Sequence, residues 1–148
     1  MDKAATVVKA IADAGFAQGL LADGQSFTLV QLLRALQRQS KLPPLSRLLT
    51  PGCVVLSYDV GVRKPSRTLF EAAVESFGRI SLAPNEVLYI SNCLRDDLTI
   101  AKQLGFRTAL FAGDKNSLRA SAEDLGQREL RPDRLLTELT QIRNLLEE

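Results

Sequence analysis

There is no histidine anywhere in the 148 residues. That absence excludes Ser-His-Asp and Cys-His nucleophile systems within the chain, and histidine-ligated zinc sites with them. Catalysis would have to rest on carboxylates, lysine, arginine, hydroxyls, cysteine or a hard metal ion. Cysteine is nearly as scarce: Cys53 and Cys93 are the two, and they show no metal-ligand spacing. They are compatible with a reducing cytosol without settling the compartment. No apolar run approaches the roughly 20 residues that span a bilayer. The opening MDKAATVVKA lacks the apolar core of a signal peptide. Nor are basic residues clustered: 19 Lys and Arg stand against 17 Asp and Glu, a net charge of +2, so no nucleic-acid footprint is marked. The default expectation is a cytoplasmic protein with neither nucleic acid nor membrane as partner.

What remains is an ordinary globular composition, 45% hydrophobic and 24% charged. At this length the simplest organisation is a single domain over residues 1–148. Such a chain can bury about 68–70% of its unfolded surface, enough for a core without staples. No internal repeat, low-complexity tract or linker interrupts it.

Apolar spacing divides the chain into alternating strands and helices. Val7, Val8 and Ile11 form a helical stripe that Gly15 ends. Gly19 to Ala22 is a short strand, and Asp23-Gly24 a turn. Leu29, Leu32, Leu33 and Leu36 fall at i, i+3, i+4, i+7, an amphipathic helix with Ser26 or Thr28 as its cap. Leu45 to Leu49 allows one helical turn between proline breaks. Cys53 to Ser57 is the second strand, and the segment YDVGVRKPS after it reads as a loop. Leu69, Phe70, Ala73, Val74 and Phe77 mark a helix that Gly78 ends. Val87 to Ser91 is the third strand, an apolar run suited to cover on both faces. Leu94, Leu98, Ala101 and Leu104 are the core face of the next helix, closed by Gly105. Thr108 to Ala112 is a fourth strand, and Ser117 to Leu125 a weaker helix. The final apolar series, Leu135 to Leu146, reads either as one helix or as a two-residue strand and a shorter helix. Strands alternating with helices predict an α/β fold: a three-layer Rossmann-like parallel sheet with right-handed crossovers.

A parallel sheet brings three polar strand-end loops to one edge: Ala22 to Gly24, Tyr58 to Ser66, and Ser91 to Asp97. Ligands of open α/β sheets bind at that edge. Lys64 precedes Pro65, which biases it to extended backbone. It reads either as a solvated surface lysine or as a charge that binds a phosphoryl group, aided by the helix start near Ser66. Asp96 and Asp97 read either as first-turn acids complementing a helix dipole or as oxygen ligands for magnesium.

Taken together, LSYDVGVRKPS (Leu56 to Ser66) and VLYISNCLRDDLTIAKQLGFRTALF (Val87 to Phe111) resemble the carboxyl-terminal half of the core domain of haloacid dehalogenase-like (HAD) hydrolases. The resemblance runs from about Ala12 to Leu139. It implies a sheet ordered 3-2-1-4-5 and phosphatase-like chemistry with Mg2+. A nucleophilic aspartate and an acid/base aspartate two residues on belong to the first strand. A hydroxyl ends the second, a lysine follows the third, and acids after the fourth help hold the metal. Lys64 matches the lysine and Asp97 the second metal-motif acid, with Asp96 in the polar position before it.

The departures are as informative. Asn92 stands where the first metal-motif acid is expected, and Ser91 where glycine precedes it. Asn92 is neutral, so one charge is lost, although its carbonyl oxygen remains. Ala22 stands at the hydroxyl position, and Ser26 is four residues too late to replace it. No Asp-x-Asp precedes the Gly19–Ala22 strand, so no nucleophile is assignable; Asp23 and Asp59 lie in edge loops at other positions.

On this resemblance the family's central first strand is absent, which would leave its neighbours about 9–10 Å apart, two strand spacings. Their buried edges would lack partners. The chain would then close its sheet differently, take a strand from a partner or a second copy as a homo-oligomer, or be part of a longer protein. The expected function is a HAD-like hydrolase domain, degenerate or truncated and inactive as this chain alone. The alternative is a non-catalytic pseudoenzyme or protein-interaction module. A receiver-type signalling domain fits poorly, because receivers place paired acids at the end of the first strand.

Overall fold

The computed structural model describes residues 3–146. Helix α1 (Ala4–Asp13) buries Ala5, Val7 and Ile11; of the predicted stripe, Val8 is only half-buried. Gly15, at φ +82°, takes the left-handed conformation that ends it. Strand β1 (Leu20–Ala22) follows. Gln18, just ahead of it, is an anchor the apolar pattern does not reveal. Its side-chain amide donates to the carbonyls of Val8 and Leu48, tying α1 to the next segments.

Helix α2 (Thr28–Gln37) occupies the predicted range, but its cap residue is Phe27, with no side-chain cap. Neither Ser26 nor Thr28 caps it; the Thr28 hydroxyl accepts from the Gln25 amide instead. The single turn α3 (Leu45–Leu48) leads to strand β2 (Val54–Leu56). The segment after β2, expected to be a loop, begins with a helical turn, α4 (Ser57–Val60), stopped by Gly61 at φ +81°. Helix α5 (Arg67–Gly78) buries Leu69, Phe70 and Ala73.

A 3-10 turn at Pro84–Glu86 feeds strand β3 (Leu88–Ser91). The expected plain helix after β3 instead opens as a π-helical turn, Leu94–Leu98, and continues as α6 (Thr99–Gln103). Leu94, Leu98 and Ala101 are buried as predicted. Strand β4 (Arg107–Phe111) is the best-covered strand, with Thr108, Ala109 and Leu110 fully buried. The predicted Ser117–Leu125 helix is shorter: α7 (Ala122–Gly126) starts at a Ser121–Asp124 capping box. Arg119, ahead of it, instead forms a parallel bridge with Cys93. The closing segment resolves as a strand then a helix, β5 (Arg134–Leu136) and α8 (Ile142–Leu146).

Every strand pair is parallel, as expected, but the sheet is in two pieces. β1 pairs with β2, setting Leu20 opposite Val54. β3, β4 and β5 form the second piece in that order, with Leu88 opposite Arg107 and Ala109 opposite Arg134. β1 and β3 do not pair directly. The apolar core is divided to match. One cluster joins Val55, Leu69, Phe70 and Ala73 to Ala101 and Phe106. Another joins Val7 and Ile11 of α1 to Ala109, Leu136 and Ile142 on the opposite face. A third packs Leu94, Leu98 and Leu110 against the segment around α7. β3 was expected to be covered on both faces, yet Leu88 to Ser91 are only half-buried throughout. Its edge toward β1 is open, and that is where the cover fails.

Candidate active site

The carboxyl ends of β1, β2 and β3 meet around an open polar cleft of about 360 Å³, lined by acids, two cations and amides. Lys64 lines it. The Lys64–Pro65 bond is cis, and α5 begins two residues later at Arg67. Asp23, directly after β1, accepts the Lys64 backbone N–H at 2.8 Å and so fastens this loop to the neighbouring strand.

The Lys64 ammonium donates to Asp97 Oδ2 at 2.9 Å and to the Tyr89 hydroxyl at 3.1 Å. The same Asp97 oxygen accepts from the Ser91 hydroxyl at 2.6 Å and the Tyr89 hydroxyl at 3.3 Å. Asp97 is buried, whereas Asp96 is exposed at the cleft margin. Burial pushes the Tyr89 phenol far above its ordinary pKa, and the Asp97 carboxylate pushes it the same way. Tyr89 therefore stays a neutral donor across the working pH range.

Asn92 faces the cleft, and its side-chain N–H donates to the Ser117 carbonyl at 2.7 Å. The Asn92 carbonyl accepts from Arg119 N–H at 2.8 Å, so the 116–119 segment is clasped to the turn after β3. That clasp brings Asn116, Ser117 and Arg119 into the cleft wall. Composition and periodicity did not single them out, because their place depends on the bridge to Cys93. Ser91 was noticed only as a departure from glycine. Its hydroxyl accepts from Cys93 N–H at 3.1 Å and donates to Asp97, which explains a side chain at that position. Tyr89 was read only as a strand residue.

Of the residues singled out from sequence, Lys64, Asn92, Asp96, Asp97 and Asp23 come together at the cleft. Ala22 ends β1 and adds no polar atom, and neither it, Ser26 nor Asp59 lines the cleft. The Ser57 hydroxyl, which sequence reasoning passed over, bridges the strand ends by accepting from Gly24 N–H at 3.1 Å.

The donor set fits a magnesium ion poorly. One oxygen of the only buried carboxylate in the cleft is committed to an ammonium and two hydroxyls. Asn92 supplies no charge. Among the described residues no group of three or more histidine, cysteine, aspartate or glutamate side chains is placed to hold a metal. What the arrangement offers is a fixed cation, Lys64, with Arg119 in the same wall, in a water-accessible cleft where an anion with several oxygens could seat.

Solved structures share this fold. A HAD phosphatase from Thermococcus onnurineus superposes with a TM-score of 0.66 at 20% identity, over 95% of this chain and 55% of that one. YfnB from Bacillus subtilis, described as a HAD-hydrolase bound to magnesium, gives 0.74 at 19% identity, over 100% of this chain and 56% of its own. An L-2-haloacid dehalogenase from Xanthobacter autotrophicus gives 0.62 at 22% identity, over 98% and 60%. The chain thus spans a little over half the length of these structures. No curated protein sequence matches it. A family model described as HAD-hydrolase-like matches residues 61–142, from the loop that carries Lys64 through β3, β4 and β5, with the clasp around Arg119 between them. With that match extending over more than half of the chain, the protein belongs to the HAD-like hydrolase family.

Proposed function

We propose that this chain is a phosphatase-like part of a HAD hydrolase that seats a phosphoryl group beside Lys64 and does not turn it over alone. The supporting observation is Lys64 itself, held 2.9 Å from Asp97 and facing an open cleft at the carboxyl ends of three strands. A held ammonium there lowers the cost of gathering phosphoryl charge, because its orientation is settled before the anion arrives. Transfer would require an aspartate nucleophile from outside residues 1–148, since Asp23 is engaged with the Lys64 backbone and Asp97 with its side chain. The resemblance implies magnesium at Asp97, Asp96 and Asn92, but Asp97 already answers Lys64 and Asn92 carries no charge. The same reading keeps the protein in the cytoplasm. No described helix is long and apolar enough to cross a membrane.

A non-catalytic relative is the second reading, favoured by Ala22 at the hydroxyl position and Asn92 at the acid position. The test is hydrolysis of p-nitrophenyl phosphate by residues 1–148 with and without magnesium, with no turnover expected. Turnover that disappears in Lys64→Ala would overturn the proposal. A coding frame that continues upstream into a strand ending Asp-x-Asp would favour the enzyme over the pseudoenzyme.

A further inference from the structure

Of the two cations in the cleft wall, only one is engaged by the protein. Lys64 is countered by Asp97 at 2.9 Å and also donates to Tyr89. Arg119 is exposed, and among the described residues no carboxylate or carbonyl takes its guanidinium. Asp114, the acid of its own segment, accepts the Asn116 N–H at 3.0 Å instead. The backbone beneath that free head is nonetheless fixed. The Arg119 N–H donates to the Asn92 carbonyl at 2.8 Å, and the Arg119 carbonyl accepts from Leu94 N–H at 3.0 Å. These bonds flank the parallel bridge to Cys93, and the Asn92 side chain adds a further tie at Ser117. A guanidinium on a fixed root, with no internal partner, is available to a ligand at reduced ordering cost.

The two cations also enter from opposite flanks. Lys64 belongs to the loop after β2, in the β1–β2 piece of sheet, whereas Arg119 follows β4, in the other piece. The turn after β3 lies between them and contributes Asn92 and Cys93 to the wall. At about 360 Å³ the cleft falls at the small end of ligand sites, roughly 300–1,000 Å³, the size of a small organic molecule. A ligand that meets both cations therefore carries two anionic groups, one toward each flank. The planar fork of a guanidinium matches a carboxylate through two parallel hydrogen bonds, which a compact ammonium cannot do. A carboxylate suits the Arg119 end better than a second phosphoryl group, because Asp23 and Asp96 also line the cleft and repel the more highly charged group.

We propose that Arg119 is a specificity-determining residue that takes a carboxylate of the ligand, so that the cleft selects small phosphorylated carboxylic acids over phosphoryl compounds with a neutral remainder. This rests on the reading that Lys64 seats the phosphoryl group, and it adds what that reading leaves open, the chemistry of the rest of the molecule. Binding is its whole content: no bond is made or broken.

Isothermal titration calorimetry of residues 1–148 with phosphonoacetate and with its neutral amide, phosphonoacetamide, tests it at fixed ionic strength with divalent metal chelated. The two ligands share the phosphonate and differ only in the carboxylate. Phosphonoacetate should bind more tightly by roughly tenfold or more, as expected for a charge-assisted pair. In Arg119→Gln that preference should vanish while the affinity for phosphonoacetamide stays unchanged. Because the Arg119 side chain is exposed and unbonded, the substitution should also leave the urea midpoint where it is. A second readout needs no variant: in NMR spectra of the unsubstituted chain, the Arg119 Nε–H signal should move with phosphonoacetate and not with the amide. Equal affinity for the two ligands, a preference that survives Arg119→Gln, or a stationary Nε–H signal would each overturn the proposal and leave phosphoryl binding at Lys64 standing. Binding of neither ligand would remove the phosphoryl reading itself, and this inference with it.

Discussion

Asp97 is held by three donors, and the shortest contact, 2.6 Å, comes from Ser91. Replacing Ser91 with alanine removes that bond and leaves the Cys93 N–H without its acceptor. Because the acceptor left short of a donor is the charged Asp97 carboxylate, unfolding free energy should fall by about 1.5 kcal/mol, read from urea denaturation. A second ion pair supports the clasp side of the site. Exposed Arg95 donates to buried Asp124 at 2.8 Å, and Asp124 also caps α7 through Ser121. The hydrogen bond from Arg95, then those from Ser121, hold the Asp124 carboxyl below its ordinary 3.8 against the opposing effect of burial. A depressed folded pKa adds stability that is complete above the unfolded value and lost as pH falls through the folded one. Arg95→Gln should therefore lower the urea midpoint at pH 7, and its deficit should shrink as pH drops below about 4. A deficit that stays constant down to pH 2.5 would contradict this. Lys64 and Asp97 were legible because their neighbours form short continuous motifs. Tyr89 and Arg119 were not, since each reaches the cleft only through a strand position or a bridge set by distant chain.

The helices follow their apolar spacing, and most of their limits were readable from it. α1 and α5 bury most of the residues that recur at helical intervals, with Val8, Val74 and Phe77 half-buried at the margins, and Gly15 marks a real end. The π-turn after β3 was hidden by the same rule. Leu94, Leu98 and Ala101 keep a spacing that an ordinary helix satisfies equally well. The Leu98 N–H nevertheless reaches back five residues to the Cys93 carbonyl. The strand ends carry constraints of another kind. A Cβ on Gly19 would stand 2.5 Å from the Cys53 carbonyl oxygen and 2.7 Å from the Phe77 ring. Since the first obstacle is backbone, Gly19→Ala should cost about 1–3 kcal/mol by forcing β1 away from β2. A denaturation midpoint equal to that of the unsubstituted protein would show that the strand pair can yield freely.

At the scale of the molecule, the two sheet pieces differ in support. β4 lies between two partners with its central residues fully buried, whereas β1 and β2 make an isolated pair of three-residue strands. Two-stranded units of that length are marginal without packing. In hydrogen exchange of the chain alone, the amides of Ala109 and Leu110 should outlast those of Ala22 and Val55. Equal protection in both pieces would mean that they unfold as one unit.

Local patterns were enough to establish alternation of strand and helix, parallel pairing, the family, and the loop residues that meet at one edge. Each follows from spacing along a short stretch of chain. The gap between β1 and β3 was expected from the family resemblance alone and was not encoded locally, because strand pairing joins residues distant in sequence and the two strands look alike whether paired or open. Tertiary packing likewise placed Ser117 and Arg119 in the cleft and bound Asp97 to Lys64, Ser91 and Tyr89. Those contacts depend on which strand ends lie side by side, and only the folded chain brings them there.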